Sequence, residues 1–350
     1  MPAFAAARAL LHQAIADRAF PAAVIEVGTS TRPLWREPFG TLTYDASALS
    51  TREDTIFDLA SLTKVLATTP LVMLQVERGA LGLDDRIARH IGCWRGGDRE
   101  DVTIRDLLAH CGGLAAHETF FIDLRGRSTI ESAMCARPLE YSPRTKSIYS
   151  DLGFMLLGFI LENGASLPER FSALMTQMGA IQELQFHPPD LWRNRIAPTE
   201  IDPWRGRLLV GEVHDENTSA LGGAAGQAGL FGTAGAVGEC ARHLLQILDG
   251  RTGVFRRETV EGFIARRTDV PGSSRALGWD TMLPTSSCGT RMSPRAFGHT
   301  GFTGTSLWID PERQVYVALL TNRVHPTREN NAIKAVRPAV HDAVMEGLGV

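Results

Sequence analysis

Lysine is nearly absent. The 350 residues include 36 basic ones, and of these only Lys64, Lys146 and Lys334 are lysine. Arginine does not release its proton in a protein whereas lysine can, so chemistry that needs a neutral amine is confined to those positions. Cysteine is sparse too. The five cysteines, Cys93, Cys111, Cys135, Cys240 and Cys288, are odd in number and widely spread. They form no CxxC pair and no Cys/His ligand cluster, which excludes a disulfide scaffold and a cysteine-built metal centre. The expectation is free thiols in a reducing compartment. Excess charge of one sign is missing as well: 39 acidic residues leave a net charge of −3. That balance excludes a nucleic-acid binder and a protein held on anionic lipid. No apolar run approaches the roughly 20 residues of a membrane span, and no internal repeat or low-complexity linker is present.

Two further absences narrow the chemistry. The glycine-rich stretch 222–235 lacks the GK[ST] ending of a phosphate-binding loop, which speaks against a nucleotide. His110 and His117 are not in metalloprotease order with a carboxylate, and they read as a structural and a surface histidine. No metal and no cofactor is expected. The N-terminal apolar stretch is broken by Arg8, His12, Asp17 and Arg18, unlike a signal peptide. A cytoplasmic, bacterial-type enzyme fits, or a periplasmic one had a leader been removed.

What is present is an ordinary core-forming composition, 44% hydrophobic and 21% charged, sized for one large domain or two intimate ones. Residues 1–20 have an amphipathic helical pattern with Ala7, Leu10, Leu11 and Ile15 on one face. Residues 22–28 read as a buried strand, and a second lies near Thr31–Trp35. Helical periodicity covers Leu59–Val76, Thr103–His110, Leu152–Leu161 and Val237–Leu248. Leu277–Leu283, Thr305–Ile309 and Val315–Leu320 read as strands, the last two joined by a tight turn at Asp310-Pro311-Glu312-Arg313. A final helix covers about 330–346. The economical fold is of the α/β (α+β) class: one antiparallel sheet from the N- and C-terminal segments, flanked by helices, with a helical region inserted. The expected division is 1–57 plus 271–350 for the sheet part and 58–270 for the helical part, with the site at their interface.

Ser61-Leu62-Thr63-Lys64 opens the helix at 59–76. A spacing of three puts the serine hydroxyl and the lysine amine on one face, one turn apart. A serine hydroxyl is a poor nucleophile without such a partner. Lys64 is set among apolar neighbours, unlike a surface lysine. Tyr149-Ser150-Asp151 precedes the helix at 152, and His299-Thr300-Gly301 precedes the strand at 305. In this order, S-x-x-K, then Y-x-N, then K/H-T-G, the chain resembles the penicillin-recognising serine hydrolases. These include class C β-lactamases, D-alanyl-D-alanine carboxypeptidases and β-lactamase-like esterases. The resemblance implies a β-lactamase/transpeptidase-like fold. It implies Ser61 as acylated nucleophile, Lys64 and Tyr149 sharing general-base and general-acid duties, and His299 and Thr300 on the opposite wall. It also implies an oxyanion hole from the N–H groups of Ser61 and Phe302, with Gly301 allowing close approach of substrate.

Two positions depart from the pattern. Asp151 stands where asparagine is usual; it caps the following helix, or faces Lys64, where its charge would raise the lysine pKa, or does both. In the second case Tyr149, as a phenolate beside cationic Lys64, is the expected base. His299 replaces a lysine and is a weaker fixed positive charge. The phrases at 197–231 and 319–330 are similar to a branch of esterases and amidases of cell-wall recycling, in which Gln227 would be a histidine. His214-Asp215-Glu216-Asn217 either rims the cleft or is a polar turn, and Arg323 and Arg328 either hold a substrate carboxylate or form surface ion pairs. The expected function is a metal-free serine hydrolase acting on a small-molecule ester, an amide or a muropeptide. The alternatives are a β-lactamase or D-alanyl-D-alanine carboxypeptidase, and a sensor that acylates slowly without turnover.

Overall fold

The computed structural model describes residues 2–350. Helix α1 spans Ala5–Ala16. Strands β1 (Ala22–Thr29) and β2 (Pro33–Gly40) follow, then the short β3 (Phe57–Asp58). A single π-helical turn, Lys64–Thr68, leads into α2 (Thr69–Glu77). Next come α3 (Ile104–Leu108), α4 (Arg127–Ala136), α5 (Asp151–Leu161) and α6 (Leu167–Gln177). The short strands β4 (Leu184–Phe186), β5 (Ile201–Asp202) and β6 (Arg207–Leu208) precede α7 (Glu216–Ala220) and β7 (Leu230–Gly232). Helices α8 (Ala234–Leu248) and α9 (Arg257–Ile264) complete the middle of the chain. The last part holds β8 (Asp280–Thr281), β9 (Phe297–Thr300), β10 (Ser306–Asp310), β11 (Val315–Thr321) and α10 (Ile333–Gly347).

The main sheet has six antiparallel strands in the order β2-β1-β11-β10-β9-β8, so the ends of the chain meet at its centre. Ile25 lies opposite Leu319 and Val27 opposite Val317. Alternate residues point to opposite faces of a strand. Ala23, Ile25 and Val27 therefore pack with Ala7 and Leu11 of α1 and Val340 and Val344 of α10. Val24, Tyr316, Ala318 and Leu320 face Val237, Ala241 and Leu245 of α8. Both faces are covered, which is why β1 and β11 read as nearly unbroken apolar runs. Glu26 is the exception in β1. It is buried and ringed by Arg36, Arg242 and the Tyr316 hydroxyl. Truncating a fully buried residue such as Leu319 to alanine should cost about 2–5 kcal/mol.

Several elements differ from the pattern-based reading. Leu10 is 37% exposed, and Ala14 takes its place on the buried face of α1. The second strand is Pro33–Gly40, not Thr31–Trp35, because Arg36 and Glu37 obscure its alternation. Only Asp280–Thr281 of the expected 277–283 strand pairs. Strand β9 was not expected, since Phe297-Gly298-His299-Thr300 has no apolar alternation. The expectation of free thiols fails at one pair. Cys93 and Cys135 form a disulfide with Cα atoms 5.8 Å apart, while Cys111, Cys240 and Cys288 are free and buried. Among the described residues no helix is long and apolar enough to cross a membrane.

Candidate active site

The segment carrying Ser61 is held by one buried carboxylate. Asp58 ends β3; its Oδ1 accepts from the Ala60 N–H at 2.8 Å and its Oδ2 from the His214 N–H at 2.6 Å. Ala60 is thereby kept at φ +46°, a left-handed conformation that is uncommon for alanine. The bend presents Ser61 at the rim of a cavity of about 730 Å³. From β9–β10, Thr303 donates to the Asp58 carbonyl at 2.7 Å and Thr305 to the Leu59 carbonyl at 3.0 Å. A Cβ at Gly301 would lie 2.5 Å from the Leu59 oxygen, so only glycine lets the third motif sit this close to the first. Asp58 appeared in the sequence only as a neighbour of the motif, and its pairing with His214 spans 156 residues.

Lys64 is fully buried, and all three ammonium protons are used. They go to Ser61 Oγ at 2.9 Å, Asp151 Oδ1 at 2.7 Å and the Gln227 carbonyl at 3.1 Å. Burial works to lower the amine pKa, but Asp151, with Tyr149, outweighs it and holds the value above that of an ordinary lysine. Burial likewise works to raise the Asp151 carboxyl, and Lys64 and His117 outweigh it, bringing it to about 2. The resting pair is ammonium and carboxylate.

Of the two roles open to Asp151, capping is excluded. Ser150 is the cap of α5, its hydroxyl accepting from Gly153 N–H, and Asp151 is the first helical residue facing Lys64. The Tyr149 hydroxyl is buried without a hydrogen-bond partner. Burial is the largest influence on it and raises its pKa; the nearby Lys64 and Ser61 offset this only in part. The resting residue is therefore a phenol, not the phenolate expected from the charge of Lys64 alone. Its ring lies between two imidazoles, with centroids 4.7 Å from His110 and 5.6 Å from His299. Burial drives both histidines well below their ordinary pKa, so both are neutral. Their backbone bonds set the tautomers. His110 Nδ1 accepts from Ser150 N–H, leaving a proton on Nε2; His299 Nδ1 bonds the Thr300 carbonyl, leaving Nε2 as an acceptor. Neither Nε2 has a partner.

The remaining expected residues divide. Thr300, Gly301 and Phe302 line the cavity, and the Phe302 ring is half exposed. The N–H groups of Ser61 and Phe302 have no partner among the described residues. His214, Asp215 and Glu216 rim the cavity, whereas Asn217 is buried and ties down Phe121 and Glu118. Arg328 is ion-paired with Glu200 and Glu216. Arg323 and Arg337 are nearly buried, line the cavity beside Lys334 and Arg275, and have no acidic partner among the described residues. Burial lowers Arg323 and brings Arg337 to about 10. His117, read as a surface histidine, is exposed, and it also lines the cavity with Nδ1 3.8 Å from Asp151 Oδ2. No group of metal-binding residues is present among the described residues.

Residues 7–341 match a family model described as Beta-lactamase. The chain belongs to the beta-lactamase family. Members of this family are serine hydrolases of the β-lactamase and penicillin-binding type. A protein of Escherichia coli (strain K12), provisionally named D-alanyl-D-alanine carboxypeptidase, is 31% identical over 88% of this chain and 80% of its own length. A Salmonella gallinarum protein with the same provisional name is 30% identical over 81% and 74%. Among solved structures, EstCE1, a hydrolase with promiscuous acyltransferase activity, superposes with a TM-score of 0.79 at 20% identity over 98% of this chain and 99% of that one. A class C beta-lactamase from Rhodobacter sphaeroides gives 0.77 at 18% identity over 99% of both. These superpositions establish the β-lactamase-like fold of the family.

Proposed function

We propose that this beta-lactamase-family protein hydrolyses an ester or amide of a small carboxylic acid through an acyl-enzyme on Ser61, with a muropeptide amide as the physiological candidate. The observation that carries this reading is the bond from Lys64 Nζ to Ser61 Oγ at the edge of a cavity lined by Ser61 and Phe302, whose backbone N–H groups have no partner among the described residues. An oxyanion hole of this kind is worth several kcal/mol of barrier.

The protonation states set the order of events. Ammonium and phenol are both acids, so one proton must leave the Lys64–Tyr149 pair before Ser61 can attack. Lys64, once neutral, takes the Ser61 proton as Oγ bonds to the carbonyl carbon. The oxyanion rests on the Ser61 and Phe302 N–H groups. As the carbon–leaving-group bond breaks, the Tyr149 phenol protonates the departing atom and is resupplied by Lys64.

A second reading, D-alanyl-D-alanine carboxypeptidase, draws on the names of the curated relatives and on the unpaired Arg323, Arg337 and Lys334, which suit a terminal carboxylate. One panel separates the readings: a chromogenic short-chain ester, a chromogenic cephalosporin, a D-alanyl-D-alanine peptide and muramyl dipeptide, each with wild type and Ser61→Ala. Turnover that Ser61→Ala abolishes, with a mass adduct on Ser61, is expected. Turnover retained by Ser61→Ala would refute the reading.

A further inference from the structure

His214 belongs to none of the three motifs, and the acylation sequence gives it no task. It nevertheless lines the same cavity as Ser61. Its ring stacks on Phe302, centroids 5.6 Å apart, and its main chain is tied through Asp58 to the residue before Ser61. Behind it, Nε2 lies 2.8 Å from Oε2 of Glu200, a buried carboxylate that also takes the Arg328 guanidinium. Burial works to raise the Glu200 carboxyl, but His214 and Arg328 hold it at about 2, so it is an acceptor. The tautomer this contact selects carries its proton on Nε2 and its lone pair on Nδ1. No protein group bonds Nδ1 among the described residues, in a ring that lines the cavity and is 5% exposed.

The other imidazoles here are differently placed. The free nitrogen of His110 carries a proton and cannot act as a base. The free nitrogen of His299 is buried and has only a carbonyl behind the ring. His117 faces Asp151, the partner of Lys64. A carboxylate-backed imidazole with an open lone pair is the arrangement that accepts a proton from an attacking nucleophile. The groups facing His214 are Glu200 and Arg328 on one side, Asp58 under its main chain, Glu216 on α7, and Arg323 across the Phe302 ring.

We infer that His214, oriented by Glu200, is the general base that activates water against the Ser61 acyl-enzyme. The inference rests on the acyl-enzyme reading above. In the step, a water proton passes to Nδ1 as the water oxygen bonds to the acyl carbon. The oxyanion forms at the Ser61 and Phe302 N–H groups. Lys64 is neutral in the acyl-enzyme, so His214 first passes its proton to Lys64 through solvent. As the intermediate collapses and the acyl C–Oγ bond breaks, Lys64 gives that proton to Ser61 Oγ, and the product leaves as a carboxylate with one proton released.

The test is stopped-flow hydrolysis of a chromogenic short-chain ester by wild type, His214→Gln, Glu200→Gln and Ser61→Ala, with intact-mass sampling. In His214→Gln one equivalent of chromophore should still be released quickly, a Ser61 adduct should accumulate, and steady-state turnover should fall by about 100-fold or more. Glu200→Gln should show the same pattern less strongly. Hydroxylamine, which attacks without a base, should clear the adduct. Turnover within a few-fold of wild type, or loss of the burst together with turnover in a folded protein, overturns the assignment. If neither variant folds, pulse-chase of the wild-type adduct decides: deacylation that slows as the pH is lowered supports a base, and a flat pH dependence overturns it. Absence of any Ser61 adduct, with activity kept in Ser61→Ala, would instead bring down the acyl-enzyme reading.

Discussion

Lys64 Nζ lies 2.7 Å from Asp151 Oδ1, closer than its 2.9 Å approach to Ser61 Oγ. The amine that should activate the serine is therefore held by a full negative charge on its other side. The same charge raises the pKa of both Lys64 and Tyr149. Replacing Asp151 with asparagine removes it and lowers both. The rising limb of kcat/KM against pH, measured on a chromogenic ester, should move to lower pH by about one unit or more in Asp151→Asn. Activity at pH 7 should increase accordingly. A limb that stays put or moves to higher pH would contradict the role given to the carboxylate.

Tyr149 combines a cost with a use. A buried hydroxyl without a partner costs about 1–3 kcal/mol, which Tyr149→Phe relieves. The variant should melt at the same temperature as wild type or higher, yet lose about 100-fold or more in turnover. Thermal melts and steady-state assays on one preparation check both halves. Near-wild-type turnover would remove Tyr149 from the machinery.

His117 should leave its mark on stability. The polar contact with Asp151 is the largest influence and raises its pKa in the fold. A raised folded value stabilises fully below the unfolded imidazole pKa, and the gain is lost as pH rises through the folded value. His117→Gln should thus melt below wild type at pH 5.5 and match it by pH 9. A difference that persists or grows in alkali would show that packing, not charge, links the two residues.

The unpaired arginines should report on substrate charge. A hydrogen bond to a charged group is worth about 1.5–3 kcal/mol, or about 10- to 150-fold in affinity. Arg337→Met should raise KM by that factor for an ester bearing a terminal carboxylate and leave a neutral ester nearly unaffected. Equal losses on both esters would mean that Arg337 only supports the Gly301 turn, whose carbonyl it holds at 3.0 Å.

The serine, the lysine and the tyrosine were legible because each lies in a short pattern whose order is itself informative. The sheet was legible at β1, β10 and β11, where dense burial leaves unbroken apolar runs. What stayed hidden is relational. Asp58 and His214 are 156 residues apart, and the Cys93–Cys135 bridge spans 42. His117 is exposed as read, but its contact with Asp151 stayed hidden because that partner is carried on another element. His214 read equally well as a turn, since the carboxylate that orients it is buried in a different segment. The Tyr149 phenolate was expected from the lysine charge alone; burial, which no local pattern displays, reversed that balance.

Asp58 grips the backbone at Ala60 and at His214 with its two oxygens. The Ser61 bend and the His214 segment consequently share one fulcrum. A change that loosens the chain at His214 would also let Ala60 relax from its left-handed turn and displace Ser61. Arg337 of α10 reaches the same segment from the other end, through the Gly301 and Thr305 carbonyls and the Thr305 bond to Leu59, so the cationic wall of the cavity shares that anchorage.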